Sequence, residues 1–488
     1  MTRKGSITVY LCLLLSVFLV IFQAIYQSVR LAGARTQIAA GIQQSLYSLF
    51  AQYDQVLLEE YDLFFLDGSF GGQELRQDLL CDEILAGART AAEPKSSGKK
   101  DIWGISVEQA GLTGYTLATD RQGEAFRRQA VEAARSSLGS QGIRRLLALV
   151  ESGEETMKRQ EEIKKEGEDA LEAYDQGKEQ AEKEQEEKEQ QGQEDQEQPQ
   201  LPAEPVENPI EVIRKIWKMG ILGLVVKDTG SISQETLDKS QLVSGRSLNR
   251  GFGLQKLPQE GDMTDKLLFQ EYLLEHLDCC TDSASQGGAR YQIEYVIQGK
   301  AQDMENLKAV ANQLLLVREA ANFTYLITNP SRRAEAAAMS SAIALSFGIP
   351  IAEGLVRKAL QVCWAFGESV LDVRTLLEGG KVPLAKSDSS WQLQLDQLIH
   401  LLEGLDSLRK DSQEGLAYRD YLRLLLLPVS QEKQVMRGMD MVEYQVRSRE
   451  GKENFRLDCC ISQIQAQLEA RAGSLSFYAV RGYGYGEE

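Results

Sequence analysis

The clearest pattern in the chain is at its start. From Gly5 to Val29 it runs for 25 residues without a charge. About 20 apolar residues, rising 1.5 Å each in a helix, cross the hydrocarbon core of a bilayer, so this run is long enough to span one. Arg3 and Lys4 precede it, and Arg30 and Arg35 follow it. A secretory signal peptide has a shorter apolar region and ends in a small-residue cleavage site. The length and the trailing arginines predict a retained anchor instead. Beyond it Ile38, Ile42, Leu46, Leu49, Tyr53, Val56 and Leu57 recur mostly at three and four, the helical spacing. No proline occurs before Pro94. One helix leaving the membrane and running toward Glu60 is predicted, with Gly33 and Gly41 as places where it would bend.

The remaining pattern is that of a folded body. Tyr61 to Leu66 is a dense apolar patch closed by Asp67-Gly68, and Gly68 to Gly72 reads as a turn. Gly87 to Lys100 has the composition of a loop. Tyr115 and Leu117 suggest a short strand, and Gly123 to Arg135 a helix with Phe126 and Val131 inward. Later in the chain, helices are predicted from Pro209, over Leu267–Leu277, Asn306–Thr328, Ala334–Phe347, Ile351–Val373, Trp391–Leu405, Tyr418–Leu427 and Met439–Arg449. A further helix is read over Asp458–Glu469. Strands are predicted over Leu222–Val226 and Tyr291–Ile297. The tail from Phe477 is aromatic and glycine-rich.

Charge changes this picture at one place. The 488 residues carry 54 Lys+Arg against 72 Asp+Glu, a net of -18. Positions 151–200 alone hold 19 acids and 7 bases, which is -12 of that total. The tract has good helix formers and mixed-sign charges able to pair at i,i+4, but no apolar seam of the kind a coiled coil needs. It reads as a solvated helix to about Gln190, fading out before three prolines between Leu201 and Pro209. The acidic balance excludes a general nucleic-acid binder, which needs a basic surface. The fold class expected is α+β and mainly helical: a long N-terminal transmembrane helix continuing into a soluble head, with a charged low-complexity insert. The expected divisions are leader and membrane helix 1–30, helix extension and first part of the head 31–150, acidic insert 151–206, main α+β domain 207–480, and tail 481–488. The short amino-terminal flank favours a cytoplasmic N-terminus and an extracytoplasmic body, although the flanking positive charges nearly balance.

The N-terminal segment resembles the leader of type IV pilin-like proteins, in particular the TadE-like pseudopilins of Tad (tight adherence, Flp) systems. In those a basic stub ends in Gly, a prepilin peptidase cuts after it, and an apolar helix follows with Glu at the fifth mature position. Lys4-Gly5 fits the stub and Ser6 the new N-terminus, which makes Gly5 and Ser6 the processing candidates; Tyr10 stands where the Glu would be. The alternative is a plain anchor. The stretches YLLEHLDCC (272–280), YQIEYVIQGKAQDMENL (291–307), LLLVREAANFTYL (314–326), WAFGESVLDVRTLLEGGKVPLAKSDSSWQL (364–393) and YRDYLRLLLL (418–427) resemble a family of uncharacterised clostridial membrane-anchored proteins associated with Tad-type pilus gene groups. That resemblance implies location and association and carries no reaction.

Candidate chemistry is sparse. Apart from Cys12 in the anchor, Cys81, Cys279, Cys280, Cys363, Cys459 and Cys460 could form up to three disulfides or remain thiols, and Leu-Asp-Cys-Cys occurs twice. Metal binding would recruit His276 with the first doublet, but adjacent cysteines chelate a tetrahedral ion poorly. His276 and His400, the only histidines, sit in no recognisable nucleophile arrangement. Glu368 and Asp372 lie at i,i+4 on one helix face near Arg374, Lys381, Lys386 and Trp391. They are either an acid/base pair in a cleft or an ion-pair network that fixes the helix and the Gly379-Gly380 loop. Arg318, Glu319 and Asn322 read the same way. The expected function is a non-enzymatic, membrane-anchored surface protein of Tad-type pilus assembly or display. A surface protein of other purpose and a carboxylate-pair hydrolase are the alternatives. The expected partners are the lipid bilayer and pilin-like or pilus assembly proteins, without nucleic acid, cofactor or metal.

Overall fold

The computed structural model describes residues 4–93, 103–190, 208–254, 262–282, 289–346, 353–405 and 414–486. The chain forms two compact units: residues 1–133, 240–262 and 439–488, and residues 134–239 and 263–438.

The first unit is an antiparallel sheet covered by helices. Helix α1 (Lys4–Phe50) is continuous for 47 residues. It then breaks, and α2 (Gln55–Tyr61) restarts under an Asp54 cap whose carboxylate accepts from the Val56 and Leu57 amides. Strand β1 (Leu66–Asp67), helix α3 (Gln77–Ala92) and strand β2 (Ile105–Leu117) follow. The predicted loop from Gly87 is therefore helical as far as Ala92, and its remainder, Pro94 to Lys100, lies outside the described residues. The central strand is β3 (Cys460–Ala472), paired with β2 along one edge and with β4 (Leu475–Gly484) along the other; β1 extends that second edge at Cys460 and Ile461. Gly473 supplies the positive φ, 67°, that the tight β3–β4 hairpin requires.

β3 corrects the helix read over Asp458–Glu469. Its Ala, Gln and Glu are helix formers, but Ile464, Ala466, Leu468, Ala470 and Ala472 alternate with Gln463, Gln465, Gln467, Glu469 and Arg471, a period of two. Burial follows that alternation, and strand pairing on both sides overrides local preference. The apolar face of β3 packs with Ile38, Ile42, Leu46 and Leu49 of α1 and Leu80, Ile84 and Ala88 of α3 in one core. Full burial of a side chain of this size contributes roughly 1.5–3 kcal/mol. Neither Gly33 nor Gly41 breaks α1. A Cβ at Gly33 would meet the Trp103 ring at 2.4 Å, and one at Gly41 the Ala92 Cβ at 2.7 Å. These glycines admit close neighbours.

The second unit is helical. It takes residues 134–190 of α4 (Asp120–Gln190), then α5 (Pro209–Trp217), α6 (Ile221–Val225), α7 (Met263–His276), α8 (Gln292–Gln298), α9 (Asp303–Thr328), α10 (Pro330–Ser346), α11 (Glu353–Leu377), α12 (Leu401–Gly404), α13 (Tyr418–Leu426) and the start of α14 (Gln431–Arg447). Asn208 caps α5 and Pro209 occupies its first turn. The strands expected over Leu222–Val226 and Tyr291–Ile297 are the short helices α6 and α8. Every residue from Gln292 to Ile297 is buried, so α8 has no polar face to show a helical period. Trp391–Leu405 is an extended loop, a short 3₁₀ turn over Asp396–His400, and α12.

The acidic tract departs from its solvated reading. Through Gln190 it is helix, but Gly167, Ala170 and Tyr174 are buried with Ile163 half-buried, a stripe at helical spacing. The Tyr174 hydroxyl accepts from Asn208 at 2.9 Å, and Arg214 pairs with Asp175. Small residues and one tyrosine form this seam, which is why hydrophobic periodicity does not reveal it. Residues 191–206 of the expected insert lie outside the described residues.

Candidate functional site

Three features carry the functional question. The first is the change of environment along α1. From Ile7 to Val29 its side chains are exposed and overwhelmingly apolar, with Phe22 69% accessible. From Ala34 one face is buried against the sheet and α3. The transition is held by the two arginines that follow the apolar run. Arg30 Nε donates to the Trp103 carbonyl at 3.2 Å, and the Arg35 guanidinium lies 5.3 Å from the centre of the Phe477 ring. Lower on α1, Phe50 packs edge-on to Tyr483 and against Tyr485 of the aromatic tail. Gly5 and Ser6 fall in the first turn of α1, at the far end of the exposed run.

The second feature is the environment of Glu368 and Asp372. They share one face of α11, as their spacing required, and both are fully buried. Asp372 Oδ2 accepts from Arg318 Nε and Asn322 Nδ2, each at 3.0 Å, and Oδ1 accepts from Lys386 Nζ at 2.7 Å. Glu368 accepts from Lys386 Nζ and from the Gln392 and Leu393 amides, the latter at 2.8 Å. Arg318 also donates to the Pro383 and Leu384 carbonyls and to the Tyr421 hydroxyl. Burial raises the Glu368 carboxyl against the pull of Lys386. For Asp372 the opposing desolvation is overcome by Lys386 and Arg318 together, which hold it below the usual carboxylate range. Two cations and two carboxylates thus balance, with every carboxylate oxygen bonded. The network ties the loop bearing Lys386 and Gln392 to α11 and α9. Ser369 and Tyr421 complete it, and only packing reveals them. Arg374 instead pairs with Glu378, and Lys381 is exposed.

Glu319 does not belong to this network. Arg318 and Asn322 are four apart on α9 and face α11, whereas Glu319 is turned about 100° away. It lines the third feature, a cavity of about 350 Å³. The lining from α4, α5, α6, α9 and α11 is mostly apolar, with Gln160, Lys164, Glu168 and Asn312 among it. Glu319 is half-buried there, and desolvation raises its pKa from 4.5 to about 8, with Lys164 pulling the other way.

All seven cysteines are free thiols. Burial pushes Cys279, Cys363 and Cys459 up to about 12, raises Cys280 and Cys460 well above the ordinary thiol range, and raises Cys81 more modestly. As the thiolate is the nucleophilic form, these six are poor nucleophiles at neutral pH. His276 lies against the Tyr272 ring, and among the described residues no three His, Cys, Asp or Glu side chains converge as a metal site.

These features define a class: a protein with one N-terminal apolar helix, consistent with a single membrane pass, whose inner half is built into a globular α/β region. Residues 199–472 match the model of a family of unknown function (DUF5702), and the chain belongs to that family. No curated protein and no solved structure matches the chain.

Proposed function

We propose that the protein is a non-enzymatic, single-pass membrane component of Tad-type pilus assembly or display, with its N-terminus cytoplasmic and its head outside. The observation that carries this reading is α1. Its outer half presents apolar side chains on all sides, and its inner half packs on an antiparallel sheet, which is the architecture of pilin-like subunits. Such a helix can associate in the bilayer with the helices of other pilin-like proteins while the sheet holds its inner half. The network around Glu368 and Asp372 supports a structural role, since its carboxylates are buried and fully bonded. A hydrolase would need them facing a cleft.

Mass spectrometry of the protein from native membranes tests the pilin-like version. An N-terminus at Ser6 is expected, and an intact Arg3-Lys4 stub would reduce the chain to a plain anchor. Crosslinking through photoreactive residues placed at Val17 and Phe22, both exposed on α1, should recover pilin-like or pilus assembly proteins. Recovery of lipid adducts alone would favour a surface protein of another purpose.

A further inference from the structure

The cavity beside Glu319 is not used by the anchor or by the buried network. We propose that it is a binding site for an organic ammonium ion with an apolar body, with Glu319 as the counter-ion.

The walls fit the apolar part. Ile163 and Leu171 of α4, Leu224 of α6, and Leu315 and Phe323 of α9 line it, and the volume falls within the range of small-molecule sites. The aromatic groups fit the cation. Trp217 and Phe366 meet edge to face at 5.2 Å, and both border the cavity that Glu319 lines, so it offers aromatic surface of the kind that recognises alkylated ammonium groups.

Charge decides the class of ligand. No hydrogen bond or ion pair reaches Glu319 among the described residues, whereas the carboxylates of Glu368, Asp372, Glu443 and Asp458 all have cationic partners. Of the charged groups that line the cavity with it, Lys164 and Glu168 on α4 lie 3.9 Å apart and exposed, and Lys164 also attracts the Glu319 carboxylate. Outside the lining, Glu211 and Arg214 on α5 pair with Lys178 and Asp175. The Cys363 thiol of α11 stays protonated, and α6 carries no titratable side chain. With Glu319 ionised, the site is one positive charge short of neutral. An anion meets repulsion there, and a neutral apolar molecule leaves the carboxyl unpaired.

Because desolvation keeps this carboxyl protonated at neutral pH, a bound cation displaces its proton. The test is calorimetry on the full chain in zwitterionic nanodiscs, with phenethylammonium chloride as probe, phenethyl alcohol as its neutral counterpart, and empty nanodiscs as reference. Titration at pH 7 in two buffers of different ionisation heat should show close to one proton released per ammonium bound. Affinity should rise about tenfold per pH unit from 5 to 7 and level off above 8. Glu319→Gln, the nearest isostere of the protonated side chain, should keep the fold, lose at least tenfold in ammonium affinity and release no proton. Equal binding of the alcohol, unchanged binding by Glu319→Gln, or no ammonium binding at millimolar concentration would each overturn the proposal.

Discussion

Two carboxylate settings on neighbouring helices of the second unit make the most instructive comparison. Glu368 and Asp372 on α11 are fully buried and every oxygen is bonded. Glu319 on α9 is half-buried in a mostly apolar lining with no hydrogen-bond partner among the described residues, and Lys164 tempers its desolvation. The sequence offers the same pair of readings for all three, in two separate segments, yet their chemistry is opposite. A buried charge that is paired and bonded on all sides fixes structure, and removing one partner is costly. A half-buried carboxyl raised by desolvation and without a bonded cation retains capacity for a proton or a cation.

The comparison can be broken from its strongest side first. Lys386→Met leaves Glu368 and Asp372 facing Arg318 alone, and should cost about 3–5 kcal/mol, read as lost hydrogen-exchange protection of the α11 amides. If protection is unchanged, the network is not what fixes α11. Asn322→Leu removes the bonds to Ser369 and Asp372 without removing a charge, and about 1–3 kcal/mol is expected by the same measurement.

Glu319→Gln should act in the other direction. The folded chain holds the Glu319 proton between pH 4.5 and about 8, where the unfolded chain has released it, so native stability falls as pH rises through that window. Gln does not titrate. The Tm advantage of the variant should therefore be small at pH 5, grow to a few degrees at pH 8, and level off above it. A difference independent of pH would show that the carboxyl has an ordinary pKa. The smallest effect is expected from Lys164→Ala. Its exposed pair with Glu168 contributes within about 0.5 kcal/mol, but the midpoint of the Glu319 titration should move further up.

Legibility in the sequence follows the same physical division. α1 is readable from the length of its apolar run and the spacing of Ile38 to Leu49, α5 and α10 from the prolines that open them, and α9, α11 and α13 from long runs of helix-forming residues. β3 is misread because Ala, Gln and Glu favour a helix locally, and only pairing with β2 and β4 reveals which period counts. α8 is buried all round and so has no period to read. The seam of α4 is built from Gly167, Ala170 and Tyr174, two small residues and one amphipathic ring, which hides it from any hydrophobic count.

Legible in the sequence alone are the apolar N-terminal helix, the main helices of the second unit, the shared face of Glu368 and Asp372, and the acidic character of 151–200. Those are properties of composition and spacing within one segment. Tertiary packing alone shows what the inner half of α1 lies against, that the acidic helix is a wall of a cavity, and that Glu319 parts company with Arg318. Each depends on which side chains from distant segments meet, and the free energy of burying a charge is set by those neighbours and not by the residue alone.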